Sequence, residues 1–214
     1  MEDSYRHKGL RQKLVAELRT KGITSETVLE AINKVPRHLF IPKGMDTLSY
    51  ADQALPIGNG QTISQPYTVA FQTQLLDLKK SEKILEIGTG SGYQAAVLCE
   101  TGARVFSIER IKDLYNSTRL LLNSLGYSPT LFWGDGYEGK ATYGPYDRIL
   151  ITAAAPEIPE ALIAQLKPGG KMVIPFGSGS TQIMMLVQKK NDGSIEKTKH
   201  GLFAFVPMIK GQTE

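Results

Sequence analysis

The sequence has little of what disulfide-bonded, secreted or metal-binding proteins use. Its single cysteine, Cys99, excludes an intrachain disulfide and a cysteine-based metal site. The three histidines, His7, His38 and His200, lie far apart in sequence and lack metal-ligand spacing. No apolar run approaches the roughly 18 residues of a membrane-spanning helix, and residues 1–9 lack the apolar stretch of a secretory signal. We therefore expect a cytoplasmic protein with no membrane segment and no metal.

A strong excess of one charge is also missing. The 25 Lys and Arg residues only slightly outnumber the 21 Asp and Glu residues, and the net charge of +4 is too weak to indicate nucleic-acid binding by itself. Of the 214 residues, 41% are hydrophobic and 21% are charged, which is typical of globular domains. The length predicts one domain over residues 1–214. Residues 1–79 would form helices and a loop, and residues 80–214 would form the core.

Apolar patterns divide the chain into three parts. Two helical patterns, at 10–18 and 28–35, precede a stretch from 36 to 65 with little periodicity, and such long loops are usually functional. From residue 83 onward, apolar runs alternate with helical stretches, which predicts a parallel sheet covered on both faces. The expected strands are 83–87, 104–108, 130–133, 148–152 and 171–175, and the expected helices are 94–100, 112–125 and 159–166. Runs 183–187 and 202–206 flank a turn signal, which predicts an antiparallel pair at one edge of the sheet.

A glycine-rich loop follows the first strand of this alternating region. Gly88, Gly90 and Gly92 stand at alternate positions, where a doubly wound sheet binds nucleotides. The dinucleotide fingerprint places its third glycine one residue later, at the position that Tyr93 occupies here. Glu86, two residues before Gly88, suits a cationic ligand and would repel a pyrophosphate. The loop therefore favours S-adenosylmethionine over a nicotinamide dinucleotide.

Acidic residues follow the next two strands. Glu109 ends the second strand, where a carboxylate can accept hydrogen bonds from ribose hydroxyls. Asp135 lies between Gly134 and Gly136 directly after the third strand, where it could accept from an adenine amino group. Each feature alone has an ordinary explanation, because Glu109 could pair with Arg110 and Asp-Gly is common in turns. Together, at the ends of three successive strands, they predict an adenosine-containing ligand.

The methyl acceptor is constrained by what the predicted site lacks. Residues 152–156 contain no polar-Pro-Pro-aromatic loop for an exocyclic amine, and Cys99 stands in an expected helix, where it is better explained as core packing than as a nucleophile. No general base is apparent. A carboxylate is already ionised at neutral pH and needs orientation rather than deprotonation. A carboxyl group is therefore the favoured acceptor. RNA, a small molecule and a non-enzymatic module that only senses the cofactor or binds a partner stay open as alternatives.

One segment indicates a family. Residues 55–67, LPIGNGQTISQPY, closely resemble the signature of the protein-L-isoaspartate O-methyltransferases, and residues 35–42, VPRHLFIP, resemble an upstream element of the same family. Further matching segments are 86–94, 134–136, 145–147, 153–159, 166–170 and 205–207. The resemblance therefore extends over nearly the whole chain.

This resemblance implies a fold and a reaction. The fold is a Rossmann-like α/β fold of the class I S-adenosylmethionine-dependent methyltransferases: a mostly parallel doubly wound sheet with an antiparallel C-terminal edge and an N-terminal helical extension. The reaction transfers a methyl group to the α-carboxylate of L-isoaspartyl residues in damaged proteins and peptides and leaves S-adenosylhomocysteine. The ester then cyclises to a succinimide that reopens partly to aspartate. The resemblance implies no metal, nucleic acid or membrane, and we expect a monomer.

The matching motifs also imply residue roles. Ser64 is the expected catalytic hydroxyl beside the substrate carboxylate, and Val206 and Pro207 are expected to bind the substrate peptide, partly through backbone hydrogen bonds. The expected cofactor-binding residues are Thr62, Ile63, Glu86, Gly88, Gly90, Ser91, Gly92, Glu109, Arg110, Asp135 and Gly136. Ser64 could instead be a helix N-cap, because Gln65-Pro66-Tyr67 opens a helical run. Both roles are compatible, since a cap lies beside free backbone N–H groups that favour an anion.

Overall fold

The computed structural model describes residues 3–214, which form helices, strands and three short 3₁₀ turns. The helices are α1 (Tyr5–Thr20), α2 (Glu26–Lys34), α3 (Pro66–Leu76), α4 (Tyr93–Glu100), α5 (Lys112–Ser124) and α6 (Glu160–Ala164). The strands are β1 (Leu55–Gly58), β2 (Gln61–Ile63), β3 (Lys83–Ile87), β4 (Arg104–Glu109), β5 (Thr130–Trp133), β6 (Tyr146–Ile151), β7 (Leu166–Phe176), β8 (Gln182–Lys189) and β9 (Ile195–Phe203). No helix within residues 3–214 is long and apolar enough to cross a membrane.

Seven of the strands form one sheet in the order β5-β4-β3-β6-β7-β8-β9. The strands from β5 to β7 are parallel, and β8 and β9 add an antiparallel edge. The central strands are apolar without polar alternation because both faces of the sheet are covered. Ile84 belongs to the core that the sheet forms with α1–α4, whereas its neighbour Leu85 belongs to the core on the other face, with Leu162 of α6. The fold class predicted from the sequence is confirmed.

The position of β3 determines where this sheet can bind a ligand. The chain passes from β3 to β4 on one side and, after β5, returns to β6 on the other side. Ligands of such sheets bind outside the carboxyl ends of the strands, at the point where the strand order reverses. The last residues of β3, β4 and β6 are Ile87, Glu109 and Ile151, and all three strands end at this crevice.

The residues before the core form a helical extension and a hairpin. α1 packs on α2, and α2 packs against α3 and α4. The stretch from 36 to 65, which lacks periodicity, contains two of the 3₁₀ turns and the antiparallel hairpin β1–β2, in which Leu55 pairs with Ile63. The hairpin leads directly into α3, whose first residue is Pro66. Residues 62–64 are thereby placed at the crevice.

The structure corrects two boundaries at the C-terminal edge. β7 begins at Leu166, whereas the sequence predicted a helix up to 166 and a strand only from 171. The last strand is Ile195–Phe203 rather than 202–206. Its sequence is polar because β9 is the free edge of the sheet, where lysines such as Lys197 and Lys199 discourage pairing with other chains. Residues 204–206 leave the sheet and approach β6, where Ala154 N–H donates to the Val206 carbonyl at 2.8 Å.

Candidate active site

The glycine loop joins β3 to α4 at the crevice. Gly88 has a φ of +92°, a conformation that side-chain-bearing residues rarely adopt. A Cβ on Gly88 would lie 2.5 Å from Thr152 Oγ1. That hydroxyl donates to the carbonyls of Ile87 and Gly88 at 2.9 and 2.8 Å. The ends of β3 and β6 are therefore tied together directly below the loop, and only glycine fits the space between them.

Glu109 links the glycine loop to the neighbouring strand. Its carboxylate accepts hydrogen bonds from the N–H groups of Gly90 and Ile111, each at 2.9 Å. It does not pair with Arg110 among the described residues, because the Arg110 Nε–H donates to the Gly211 carbonyl at 3.3 Å. A cavity opens at the crevice beside the glycine loop. Glu109 is 4% exposed and lines this cavity. Since a carboxylate has about four lone-pair sites, it can still accept from two further hydroxyl groups.

Asp135 and Gly136 occupy different positions after β5. Gly136 lines the cavity, and a Cβ there would clash with Ile87 Cγ2. The Asp135 carboxylate accepts from Tyr137 N–H at 2.8 Å and from Gly211 N–H at 2.6 Å. It therefore fastens the C-terminal tail to this loop and stands outside the cavity wall. Of the two residues predicted to face adenine, Gly136 lines the cavity and Asp135 does not.

Glu86 lies below the cavity and not in its wall. It is fully buried, and Ser107 Oγ donates to its Oε2 at 2.6 Å. Its Oε1 has no hydrogen-bond partner within residues 3–214. Burial raises the pKa of Glu86 to about 8, an effect that the Ser107 hydrogen bond opposes and the Glu109 carboxylate reinforces. Ser107 also contacts the Thr89 hydroxyl at 2.7 Å, and Thr89 lines the cavity, so these two hydroxyls connect Glu86 to the cavity.

Two neighbouring cavities meet above the sheet. The first, which we call the cofactor cavity, is lined by the glycine loop, Glu109, Gly136 and the start of the C-terminal tail. The second, which we call the groove, has a volume of about 740 Å³, within the usual range for ligand sites. Aromatic rings form part of its wall. Residues that line both cavities are Thr62, Ser64, Thr152 and Val206.

Ser64 lies at this junction, between the end of β2 and the start of α3. The N-cap of α3 is Gln65, with Pro66 in the first turn, so Ser64 precedes the cap position. The alternative of Ser64 as a plain N-cap is therefore wrong. The N–H of Tyr67, in the first turn, donates instead to Asp52 Oδ1 at 2.7 Å. Ser64 is half-buried and faces both cavities.

The structure brings most of the predicted site residues together. Those that line the cofactor cavity are Thr62, Ile63, Ser64, Gly88, Gly90, Ser91, Glu109, Arg110, Gly136, Val206 and Pro207. Glu86, Gly92 and Asp135 do not line it. Gly92 instead faces α5, where a Cβ would lie 2.7 Å from Thr118 Cγ2.

Sequence reasoning missed several residues of the wall. They are Gln61, Val69, Tyr93, Gln94, Ile108, Thr152, Ala153, Met208 and Ile209, with Ile87 and Thr89 of the glycine segment. Tyr93 and Gln94 could have been found, because they open α4 directly after the glycine loop. Thr152 follows the last residue of β6 at the point where the strand order reverses. Met208 and Ile209 gave no signal, since the tail returns to the cavity only through tertiary contacts.

A second cluster of polar side chains lies in the N-terminal extension. Ligand atoms of Asp3, His7 and His38 all lie within 4.8 Å of one another, although these residues lack metal-ligand spacing in sequence. The Asp3 carboxylate is held by Arg11, at 3.0 and 2.9 Å. None of the three residues lines either cavity. This cluster is therefore separate from the site at the crevice.

Comparison with known proteins identifies the family. The family model for protein-L-isoaspartate(D-aspartate) O-methyltransferase matches residues 9–213. The chain belongs to this family. It is 56% identical over 211 residues to the protein-L-isoaspartate O-methyltransferase of Flavobacterium psychrophilum, covering 98% of this chain and 99% of that protein. It is 53% identical over 211 residues to the Christiangramia forsetii protein of the same name, with the same coverage.

Solved structures of the family agree. A protein-L-isoaspartate O-methyltransferase structure superposes with a TM-score of 0.85 at 29% identity, covering 92% of this chain and 65% of that one. A Plasmodium falciparum structure described as a β-aspartate methyltransferase in complex with S-adenosyl-L-homocysteine gives 0.82 at 27% identity, covering 94% of this chain and 99% of that one. The protein is thus an S-adenosylmethionine-dependent methyltransferase that acts on isoaspartyl residues in protein repair. This confirms the reaction expected from the sequence.

Proposed function

We propose that methyl transfer takes place where the cofactor cavity meets the groove, with Ser64 beside the acceptor carboxylate. The observation that supports this is the set of residues shared by the two cavities, which includes Ser64 and Thr62. A methyl group that passes from a ligand in one cavity to a ligand in the other must cross this junction. Ser64 and Thr62 supply hydroxyl donors there, which a carboxylate oxygen accepts.

The residues of the cofactor cavity fit S-adenosylmethionine. Gly88 and Gly136 line this cavity with backbone, and a Cβ at either position would clash with Thr152 or Ile87. The free lone pairs of Glu109 suit ribose hydroxyls. When bound, the cofactor supplies an electrophilic methyl group on a sulfonium. We assign the direct contacts to Gly88, Gly90, Ser91, Glu109 and Gly136, and an indirect role through Ser107 and Thr89 to Glu86.

No general base is required at this junction. The isoaspartyl α-carboxylate is ionised at neutral pH and is itself the nucleophile. The protein has to orient one oxygen towards the methyl carbon and exclude water. Ser64 and Thr62 orient the carboxylate through hydrogen bonds, and Val206 also lines the junction. The carboxylate would thereby become a methyl ester, and S-adenosylhomocysteine would be the leaving group.

The substrate chain occupies the groove in this proposal. Phe203 stacks on Tyr67 with ring centroids 6.3 Å apart and packs on Phe71 at 5.1 Å, so one wall of the groove is aromatic. Two backbone groups of the segment 205–207 already form hydrogen bonds within the chain. Phe205 N–H donates to Gln182 at 2.9 Å, and the Val206 carbonyl accepts from Ala154. Residues 205–207 are therefore held by hydrogen bonds to the rest of the chain. Backbone hydrogen bonds between this segment and a substrate peptide must use its other N–H and C=O groups.

The wider setting follows the expectations from the sequence. We propose that residues 1–214 form one methyltransferase domain that acts as a monomer in the cytoplasm, on isoaspartyl proteins and peptides rather than on nucleic acid or membranes. The net charge of +4 is too small to indicate nucleic-acid binding. Sedimentation of the purified chain, with and without a protein substrate that contains isoaspartate, tests whether the chain is a monomer. A stable dimer in either sample would contradict it.

Paired peptides that contain isoaspartate or aspartate at one position test the proposal, with radiolabelled S-adenosylmethionine as donor. We expect label only in the isoaspartyl peptide, released as methanol at mildly alkaline pH. Ser64→Ala should lose most of its turnover and retain its affinity for S-adenosylhomocysteine. Ser117→Ala, whose hydroxyl donates to its own helix at Asp113, is the matched control. Unchanged turnover in Ser64→Ala would remove Ser64 from the mechanism.

A further inference from the structure

We propose that Asp52 is a positioning residue that holds Ser64 at the junction of the two cavities. It does so by accepting hydrogen bonds at the N-terminus of α3, although it lies well before that helix in the sequence. The inference rests on the role proposed above for Ser64. Asp52 lines neither cavity, so it acts through the segment that follows β2 rather than on either ligand. Its side chain is 4% exposed, although an aspartate without partners would be costly to bury.

The hydrogen bonds of Asp52 explain its burial. Oδ1 accepts from the backbone N–H of Tyr67 at 2.7 Å, and Oδ2 accepts from Gln65 Nε2 at 3.0 Å. The first N–H groups of a helix have no partner within the helix. Pro66 has no N–H, and the Gln65 side chain does not cap the helix. Asp52 therefore supplies both the missing acceptor and a negative charge at the N-terminus of α3, where the helix dipole favours it.

The chain is held in place on both sides of Ser64. On one side, β2 pairs with β1, with Leu55 opposite Ile63. On the other side, Asp52 binds the residues at positions 65 and 67, directly after the serine. The backbone of Ser64 is thus held by its neighbours, and its side chain faces both cavities. Without the hydrogen bonds of Asp52, only the β1–β2 hairpin would fix the position of the Ser64 hydroxyl.

The N-terminal extension supports Asp52 in turn. Lys21, at the end of α1, places its Nζ 2.6 Å from Asp52 Oδ2. Arg37 is fully buried and donates to the backbone carbonyl of Gln53, the next residue, at 3.3 Å. Two basic side chains therefore hold the Asp52 segment against the extension. This connects α1, which contacts neither cavity, to the position of Ser64.

Steady-state kinetics of the full-length enzyme with an isoaspartyl peptide test this role. Asp52→Ala should lower kcat about 10- to 100-fold, the scale expected when a reacting group is displaced by about 1 Å. Its affinity for S-adenosylhomocysteine, measured by calorimetry, should be retained. Asp52→Asn keeps an oxygen acceptor for Tyr67 N–H and should recover most of the lost kcat. Asp192→Ala, an exposed aspartate in the β8–β9 turn, is the matched control.

A double-mutant cycle with Ser64 distinguishes positioning from general stabilisation. If Asp52 acts through Ser64, Asp52→Ala should cost little kcat in the Ser64→Ala background. An equal loss in both backgrounds, or unchanged kcat in Asp52→Ala, would overturn the proposal. If Asp52→Ala does not fold, Lys21→Met removes one support and should lower kcat less than Ser64→Ala, again only when Ser64 is present. Unchanged turnover in Ser64→Ala itself would instead refute the proposed function, so the two failures are distinguishable.

Discussion

The carboxylate of Glu109 accepts a hydrogen bond from the backbone N–H of Gly90 at 2.9 Å. The acidic residue that ends β4 therefore holds the glycine loop that follows β3. This hydrogen bond fixes the position of the loop relative to the carboxylate. A site organised in this way loses less conformational entropy on binding than one that must first order its loop.

Glu109→Ala tests this dual role. The substitution leaves the N–H groups of Gly90 and Ile111 without their acceptor, at a cost of about 1–3 kcal/mol for each buried group, and removes the acceptor proposed for ribose. We expect S-adenosylhomocysteine affinity to fall about 10- to 100-fold, as measured by calorimetry. Glu109→Gln should lose less, because its amide oxygen keeps one acceptor. Exposed Glu160→Gln should bind as wild type, and wild-type affinity in Glu109→Ala would refute the role.

Gly134 and Gly136 form a matched pair for a steric test. A Cβ on Gly136 would clash with Ile87 Cγ2, whereas on Gly134 the nearest atom, Ile108 Cγ2, would lie at an ordinary 3.5 Å. Gly136→Ala should therefore lower the free energy of unfolding by about 1–3 kcal/mol and weaken cofactor binding. Gly134→Ala should stay close to wild type in both. Urea denaturation with and without S-adenosylhomocysteine measures the two effects. Equal behaviour of the two variants would mean that the loop yields easily.

The cofactor side of the site was largely predictable because its residues follow consecutive strands. Parallel strands bring their carboxyl ends to one edge, so Gly88, Glu109 and Gly136 had to lie close together. The side of the sheet to which the Glu86 side chain points was not predictable. A strand buried on both faces shows no alternation that would tell which side a residue occupies. Its partner Ser107 lies opposite it on β4, a register that only the folded sheet shows.

The substrate side of the site was less predictable, because it is formed by tertiary contacts that leave no local pattern in the sequence. The acceptor for the N-terminus of α3 comes from Asp52, which precedes Tyr67 by 15 residues in a stretch without periodicity. The tail reaches Asp135 through Gly211 across 76 residues. Strand β9 was placed too late because its edge position permits a polar sequence. The family resemblance, and not residue spacing, pointed to Ser64.

The aromatic wall of the groove predicts an effect on substrate binding alone. Phe203 contacts Tyr67 and Phe71 but does not line the cofactor cavity. Phe203→Ala should raise KM for an isoaspartyl peptide about tenfold, or about 1.4 kcal/mol, with cofactor affinity unchanged. Leu120→Ala, which removes an apolar side chain that is 66% exposed on α5, is the control. A loss of kcat without a change in KM would place the peptide elsewhere.

Glu86 makes the stability of the free protein depend on pH. Burial raises its pKa from 4.5 to about 8, so the folded protein holds a proton that the unfolded chain releases near pH 4.5. Between these two pH values the folded state binds more protons, and the free energy of unfolding therefore falls as pH rises. The stabilisation is complete below the unfolded pKa and is lost as pH passes through about 8.

Glu86→Gln isolates this contribution, because the amide stays neutral and can accept from Ser107 as the protonated carboxyl does. We expect the variant and wild type to converge at acidic pH and the variant to be the more stable at mildly alkaline pH, as measured by urea denaturation without cofactor. Glu160→Gln should follow the wild-type profile. Parallel profiles for Glu86→Gln and wild type would mean that Glu86 is already ionised at neutral pH. In that case the buried carboxylate would act on the cofactor indirectly, through Ser107 and Thr89.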